Sequence, residues 1–173
     1  MNRTVKKVFA VVNPDKADIS TFQEEIEEFF LKKDVELVSC TLKDKDKIMS
    51  ANLNGSDLAL SFGGDGTLLF CARAFVDKNI PILAVNLGTF GFITEVSFGE
   101  WKQTYEQFVA GNLGISERIM IQVKIIRQGR EIGFFHGLND AVICTEGISR
   151  LLALKLFLSE SYVGRYQDLP EVR

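Results

Sequence analysis

The stretch Leu58-Ala59-Leu60-Ser61-Phe62-Gly63-Gly64-Asp65-Gly66-Thr67-Leu68-Leu69 holds a strand, a glycine turn and the start of a helix in twelve residues. Leu58 to Phe62 carries no charge and suits a strand covered on both faces, and a helical pattern resumes at Leu68. Between them, Gly63 and Gly64 let the backbone take unusual dihedrals and come close to a ligand. The free N–H groups and positive dipole end of the next helix favour an anion, so the turn is built like a phosphate cradle. Asp65 fits beside a phosphate only if it has a task, such as accepting a proton from an attacking hydroxyl or facing a divalent cation. The competing reading of Asp65 is an ordinary helix N-cap. A strand-GGDG-helix pattern alone leaves both open.

The same alternation recurs outward from this turn. Lys7 to Val12 is an apolar run closed by Asn13-Pro14. Ile19, Phe22, Ile26, Phe29 and Phe30 then mark one stripe of a helix, and Val35 to Leu42 returns to strand composition. Downstream, Leu68 to Phe75 reads as helix and Ile82 to Val85 as a strand introduced by Pro81. Trp101, Tyr105, Phe108 and Val109 form a helix face ending near Gly111. Strands alternating with helices predict an α/β fold with a parallel sheet, here over residues 1–114.

Beyond Glu117 the period shortens to two. Ile119, Ile121, Val123 and Ile125 alternate with Met120, Gln122 and Lys124, and Gln128-Gly129 predicts a turn into Glu131 to Phe135. Further strands are expected at Leu138 to Cys144, Leu151 to Leu158 and Tyr162 to Tyr166, with Ser159-Glu160-Ser161 as a turn. Residues 115–173 are expected to form the incomplete start of a β-rich domain.

Composition narrows the function. A net charge of -3 with scattered Lys and Arg is the wrong sign and pattern for neutralising nucleic-acid phosphates, so no nucleic-acid partner is expected. The apolar runs are too short to span a bilayer and the first twenty residues lack a signal-peptide pattern, so a cytoplasmic protein with no membrane partner is expected. Cys40, Cys71 and Cys144 show no CxxC pairing and are expected as buried reduced thiols. His136 is the single histidine, which shifts base chemistry onto a carboxylate.

Two further segments carry candidate site residues. Ala84-Val85-Asn86-Leu87-Gly88-Thr89-Phe90-Gly91-Phe92-Ile93-Thr94-Glu95 is a strand running into a glycine-bearing loop, on what should be the same carboxyl edge of the sheet, where open α/β sheets bind ligands. Phe92 would either lie against a base or nicotinamide ring or plug a domain junction. In Gly137-Leu138-Asn139-Asp140-Ala141-Val142-Ile143 a polar pair interrupts an apolar segment; it either caps a turn or binds ribose hydroxyls and amide groups.

GGDGT at Gly63 to Thr67, NLGTFGFITE at Asn86 to Glu95 and the LND context of Asn139-Asp140, in this order, resemble the NAD kinase family. The likeness runs from Lys7 to about Gln167 and includes Glu117-Arg118-Ile119-Met120. GGDGT alone is shared with kinases of diacylglycerol and sphingosine; combined with NLGTFGFITE it is specific. The resemblance implies a Rossmann-like N-terminal domain. It implies transfer of the γ-phosphoryl group of ATP, or of inorganic polyphosphate, to the 2′-hydroxyl of the adenosine ribose of NAD, giving NADP with Mg²⁺ present. It makes Asp65 the proton acceptor and Gly63, Gly64, Gly66 and Thr67 the nucleotide turn, with Asn139 and Asp140 as the nucleotide-holding pair. Phe92 and Arg150 become further contacts, although the residues alone make Arg150 a solvated hairpin charge. No residue is assigned as a metal ligand, and full-length members are expected to be homo-oligomers.

The family's D-G-(L/I)-I and T-P-T-G-S-T-A-Y segments do not follow Gln167; Asp168-Leu169-Pro170 stands there instead. A catalytically silent, truncated nucleotide-binding fragment is therefore the alternative expectation. A lipid kinase ranks behind it, since an apolar acceptor cleft would not suit the Asn139-Asp140 pair.

Overall fold

The alternation read from the sequence is present in the structure, a computed structural model that describes residues 2–15, 19–44, 48, 55–88, 91–144 and 152–168. The chain divides into two compact units, residues 1–139 and 140–173. In the first, β1 (Lys7–Val12), β2 (Glu36–Thr41), β3 (Leu58–Gly63), β4 (Ile82–Asn86) and a short β5 (Val96–Ser97) form a parallel sheet in the order β2-β1-β3-β4-β5. Helices α1 (Ile19–Leu31), α2 (Asp65–Ala74) and α3 (Trp101–Val109) cover it. β5 is a strand that periodicity does not announce. Its two residues pair Val96 with Val85 and Ser97 with Asn86, too short a run to alternate visibly.

The continuous apolar runs of β1 and β3 follow from cover on both faces. Val8, Ala10 and Val12 pack with Phe22, Ile26 and Phe30 of α1 and with Trp101, Tyr105 and Phe108 of α3. Their neighbours Phe9 and Val11 point the other way, to Ala59, Cys71 and Phe75. At about 1.5–3 kcal/mol for each large apolar side chain removed from water, these two strands supply much of the cohesion. On the first face the rings interlock: Trp101 meets Phe29, Phe30 and Phe62 at centroid distances of 4.7, 6.0 and 5.4 Å. Arg3 ties the amino-terminal segment to the end of α3, donating its amide to the Val109 carbonyl at 2.7 Å and Nη1 to the Phe108 carbonyl at 2.8 Å. A cation at a helix C-terminus also opposes the negative dipole end.

Residues 121–137 form a hairpin, β6 (Ile121–Arg127) with β7 (Arg130–Gly137), and the predicted Gln128-Gly129 turn has both residues left-handed, φ 52° and 74°. The second unit holds a similar hairpin, β8 (Leu152–Leu158) with β9 (Ser161–Asp168), turning at Ser159 and Glu160 with φ 47° and 69°. Two left-handed residues in a two-residue loop match the right-handed twist of the strands. The strand expected at Leu138 to Cys144 does not form. Residues 139–144 are exposed and pair with no strand among the described residues, so nothing there repays the cost of extending the polar Asn139-Asp140 pair. Cys71 is buried as expected and Cys40 partly so, but Cys144 is exposed. No helix among the described residues is long and apolar enough to cross a membrane.

Candidate active site

The parallel register brings the carboxyl ends of β1, β3 and β4 to one edge. Val12 stands beside Phe62 and Gly63 beside Asn86. The Asn13 amide donates to the Phe62 carbonyl at 2.8 Å and the Leu87 amide to the Gly63 carbonyl at 2.7 Å. The two glycine-bearing loops therefore leave the sheet side by side.

The glycines play different parts. Gly64, the N-cap of α2, has φ −131° and ψ −165°, ordinary extended backbone, so left-handed dihedrals do not make this turn. Gly63 is required by close approach: a Cβ there would lie 2.1 Å from Thr67 Oγ1 and 3.2 Å from Asn13 Cβ. A Cβ at Gly64 or Gly66 would meet nothing within 4 Å, so the space before the helix is open. The Thr67 and Leu68 amides both donate to the Gly64 carbonyl, at 2.9 and 3.2 Å, while those of Asp65 and Gly66 have no acceptor among the described residues. Amides at a helix start that lack an acceptor there, beside open space, are what an anion needs. Thr67 contributes from within, for its side chain is buried against Gly63.

Asp65 is the first residue of α2 and does not cap it; the N-cap position belongs to Gly64. Its carboxylate crosses to the neighbouring loop. Oδ2 accepts the Phe92 amide at 2.8 Å, and Oδ1 accepts the Ile93 amide at 3.3 Å, the Thr94 amide at 3.1 Å and the Thr94 hydroxyl at 2.9 Å. These donors, the Phe92 amide foremost, hold its pKa below the ordinary 3.8 against the opposing effect of burial. The side chain is thus a fixed anion at neutral pH. Gly91 makes this approach possible, since a Cβ there would stand 2.1 Å from Asp65 Oδ1.

Phe92 gives its amide to Asp65 and leaves its ring fully exposed. Asn139 closes the first unit and Asp140 opens the second, both exposed. Arg150 lies outside the described residues, as do Thr89 and Phe90 of the second loop. His136 sits on β7, edge-on to Phe134 at 4.8 Å. Two residues here were not singled out in the sequence. Thr94 is buried with its hydroxyl on Asp65, and Asn86 is buried with Oδ1 accepting the Gly88 amide at 2.9 Å. A polar residue at the carboxyl end of a buried strand was the available signal for Asn86; nothing local marks Thr94. A concavity of about 770 Å³, lined by Leu68, Ala72, Ile82 and Ile93 and by the charged Glu95 and Arg118 among others, includes neither Asp65 nor the glycine turn.

Residues 45–113 match the family model of the ATP-NAD kinase N-terminal domain. Over this range the chain is similar to the NAD kinases. An NAD kinase of Treponema denticola is 35% identical over 153 residues, which cover 88% of this chain and 53% of that protein. One of Koribacter versatilis is 40% identical over 111 residues, 64% of this chain and 39% of its own length. The chain spans about half the length of the first of these curated NAD kinases and less of the second. A crystal structure of yeast NADH kinase complexed with NADH superposes with a TM-score of 0.66 at 17% identity, covering 94% of this chain and 55% of that one. That likeness concerns the fold.

Proposed function

We propose that this chain is the nucleotide-handling part of an NAD kinase, which moves the γ-phosphoryl group of ATP, or of polyphosphate, to the 2′-hydroxyl of the adenosine ribose of NAD in the cytoplasm. The observation that carries the proposal is the clasp between the two motif loops, in which Asp65 projects from the start of α2 onto the 92–94 amides. Open amides at Asp65 and Gly66 suit the phosphates of a nucleotide, and the exposed Phe92 ring suits a base or nicotinamide face. Asn139, Asp140 and Arg150 are assigned to the nucleotide on the family likeness. The boundary near residue 114 remains the proposed division between the phosphate-handling part and the part that completes the dinucleotide pocket.

A strongly hydrogen-bonded carboxylate is a weak base, yet the loose transition state of phosphoryl transfer asks for positioning and charge more than for base strength. No group of three or more His, Cys, Asp or Glu suited to a metal occurs among the described residues. A divalent ion carried on the nucleotide phosphates would supply charge neutralisation, with Asp65 the carboxylate that the turn could offer it. Asp65→Asn keeps the shape but turns an N–H donor toward donors. NADP formation should be lost while far-ultraviolet circular dichroism is unchanged; full activity in that variant defeats the assignment. Calorimetric binding of NAD or ATP by the native chain without NADP formation would favour a silent nucleotide-binding fragment.

A further inference from the structure

Asp65 offers its two oxygens unequally. A carboxylate oxygen has about two lone-pair directions, and Oδ1 already receives three donors, two of them from Thr94. Oδ2 receives one, from Phe92. Thr94 is buried, so its hydroxyl has no water competing for it. A Cβ at Gly91 would stand 2.7 Å from that hydroxyl and 2.1 Å from Oδ1, so the local chain is shaped around this contact.

We infer that Thr94 is a positioning residue for phosphoryl transfer: by saturating Oδ1 it fixes the rotation of the Asp65 carboxylate and leaves Oδ2 as the oxygen that meets the sugar hydroxyl. The inference rests on the kinase reading proposed above. As the new bond forms between the sugar oxygen and the γ-phosphorus, the hydroxyl proton passes to Oδ2. The bond from that phosphorus to the bridging oxygen breaks, its electron pair leaving with ADP. A carboxylate free to rotate would present either oxygen at varying angles, and misplacement of a reacting group is costly in rate.

The test compares Thr94→Val, which removes the hydroxyl at nearly constant volume, with Thr94→Ser, which keeps it. In the native chain the ¹⁵N–¹H resonances of Phe92 and Ile93 report the charge of Asp65. Thr94→Val should raise the pH at which they titrate and lower kcat about tenfold, the scale of one hydrogen bond to a charged group, with KM for NAD little changed. Thr94→Ser should restore both. An unchanged titration in Thr94→Val, an unchanged kcat in a chain that forms NADP, or failure of Thr94→Ser to restore either overturns the inference. Should the native chain form no NADP, the titration alone decides for Thr94, and the missing activity counts against the kinase reading only. If Thr94→Val does not fold, Thr94→Ala removes the same hydroxyl.

Discussion

The Leu87 amide donates to the Gly63 carbonyl at 2.7 Å, at the point where Gly63 and Asn86 stand in register across β3 and β4. This bond fastens the two motif loops at the sheet edge, and the Asp65 carboxylate fastens them again farther along the second loop. Sheet geometry sets the first attachment and a side chain the second. The rigid β3 ladder therefore fixes where the helix amides begin, while Asp65 fixes where the Phe92 loop lies.

Alanine at the three glycines separates fold from ligand. Gly63→Ala forces a Cβ to 2.1 Å from the Thr67 hydroxyl and 3.2 Å from Asn13, so it should lower the melting temperature by several degrees. Gly66→Ala meets nothing and sits inside a helix, where alanine is better than glycine by up to ~1 kcal/mol, so thermal stability should hold or rise. Gly64→Ala should be nearly neutral for stability, since its dihedrals suit any residue. Both open-space variants should nevertheless weaken ATP binding about tenfold or more in calorimetry, because a methyl group would stand where phosphate oxygens approach the amides. Unaltered binding in both variants would make the turn a structural element only.

Acid should release the Phe92 loop late. Asp65 has a folded pKa below its ordinary 3.8, so the stability it contributes is complete above that value and is lost as pH falls through the lower folded value. Between pH 7 and 4 the amides of Phe92, Ile93 and Thr94 should keep their hydrogen-bonded chemical shifts, and they should move together only in stronger acid. A joint shift near pH 5 would mean that the carboxylate is not held by these donors.

Much of this was legible in the residues because the sheet is doubly covered. Strands such as Phe9-Ala10-Val11 and Leu58-Ala59-Leu60 have no polar face and cannot be read as anything exposed. The glycine turn and its placement on the carboxyl edge were legible for the same reason. What escaped was tertiary. Thr94 lies 29 positions from Asp65 in sequence, and no local pattern announces a hydroxyl meeting a carboxylate across two loops. The Ser97 and Glu100 capping box that starts the segment before α3 is written in the sequence as S-x-x-E, beside the stronger apolar stripe of Trp101 and Tyr105. The missing strand at Leu138 to Cys144 shows the opposite failure, an apolar run whose partner is absent from the described residues.

Trp101 should be the costliest single truncation in the core. It is buried and lies against Phe29, Phe30 and Phe62, joining α3 to α1 and to the strand that carries the glycine turn. Trp101→Ala should remove about 3–5 kcal/mol, a large part of the ~5–15 kcal/mol that holds a typical domain. Urea unfolding followed by circular dichroism measures it. A loss below ~1 kcal/mol would mean that α3 is not held by this ring.

The cysteines should separate by chemistry as they do by position. Burial pushes the Cys71 thiol up to about 12 from an ordinary 9.0, so no useful fraction is thiolate at pH 8, whereas Cys144 is exposed. Iodoacetamide on the native chain should therefore alkylate Cys144 quickly and spare Cys71 until denaturant is added, as peptide mass mapping would show. The linkage runs toward alkali. Above pH 9 the unfolded thiol ionises while the folded one stays neutral, so its contribution to stability is full below that pH and declines as pH rises toward 12. Cys71→Ala should accordingly flatten part of the fall in melting temperature between pH 9 and 11. Rapid native labelling of Cys71 would instead place its thiol outside the packed layer between α2 and the sheet.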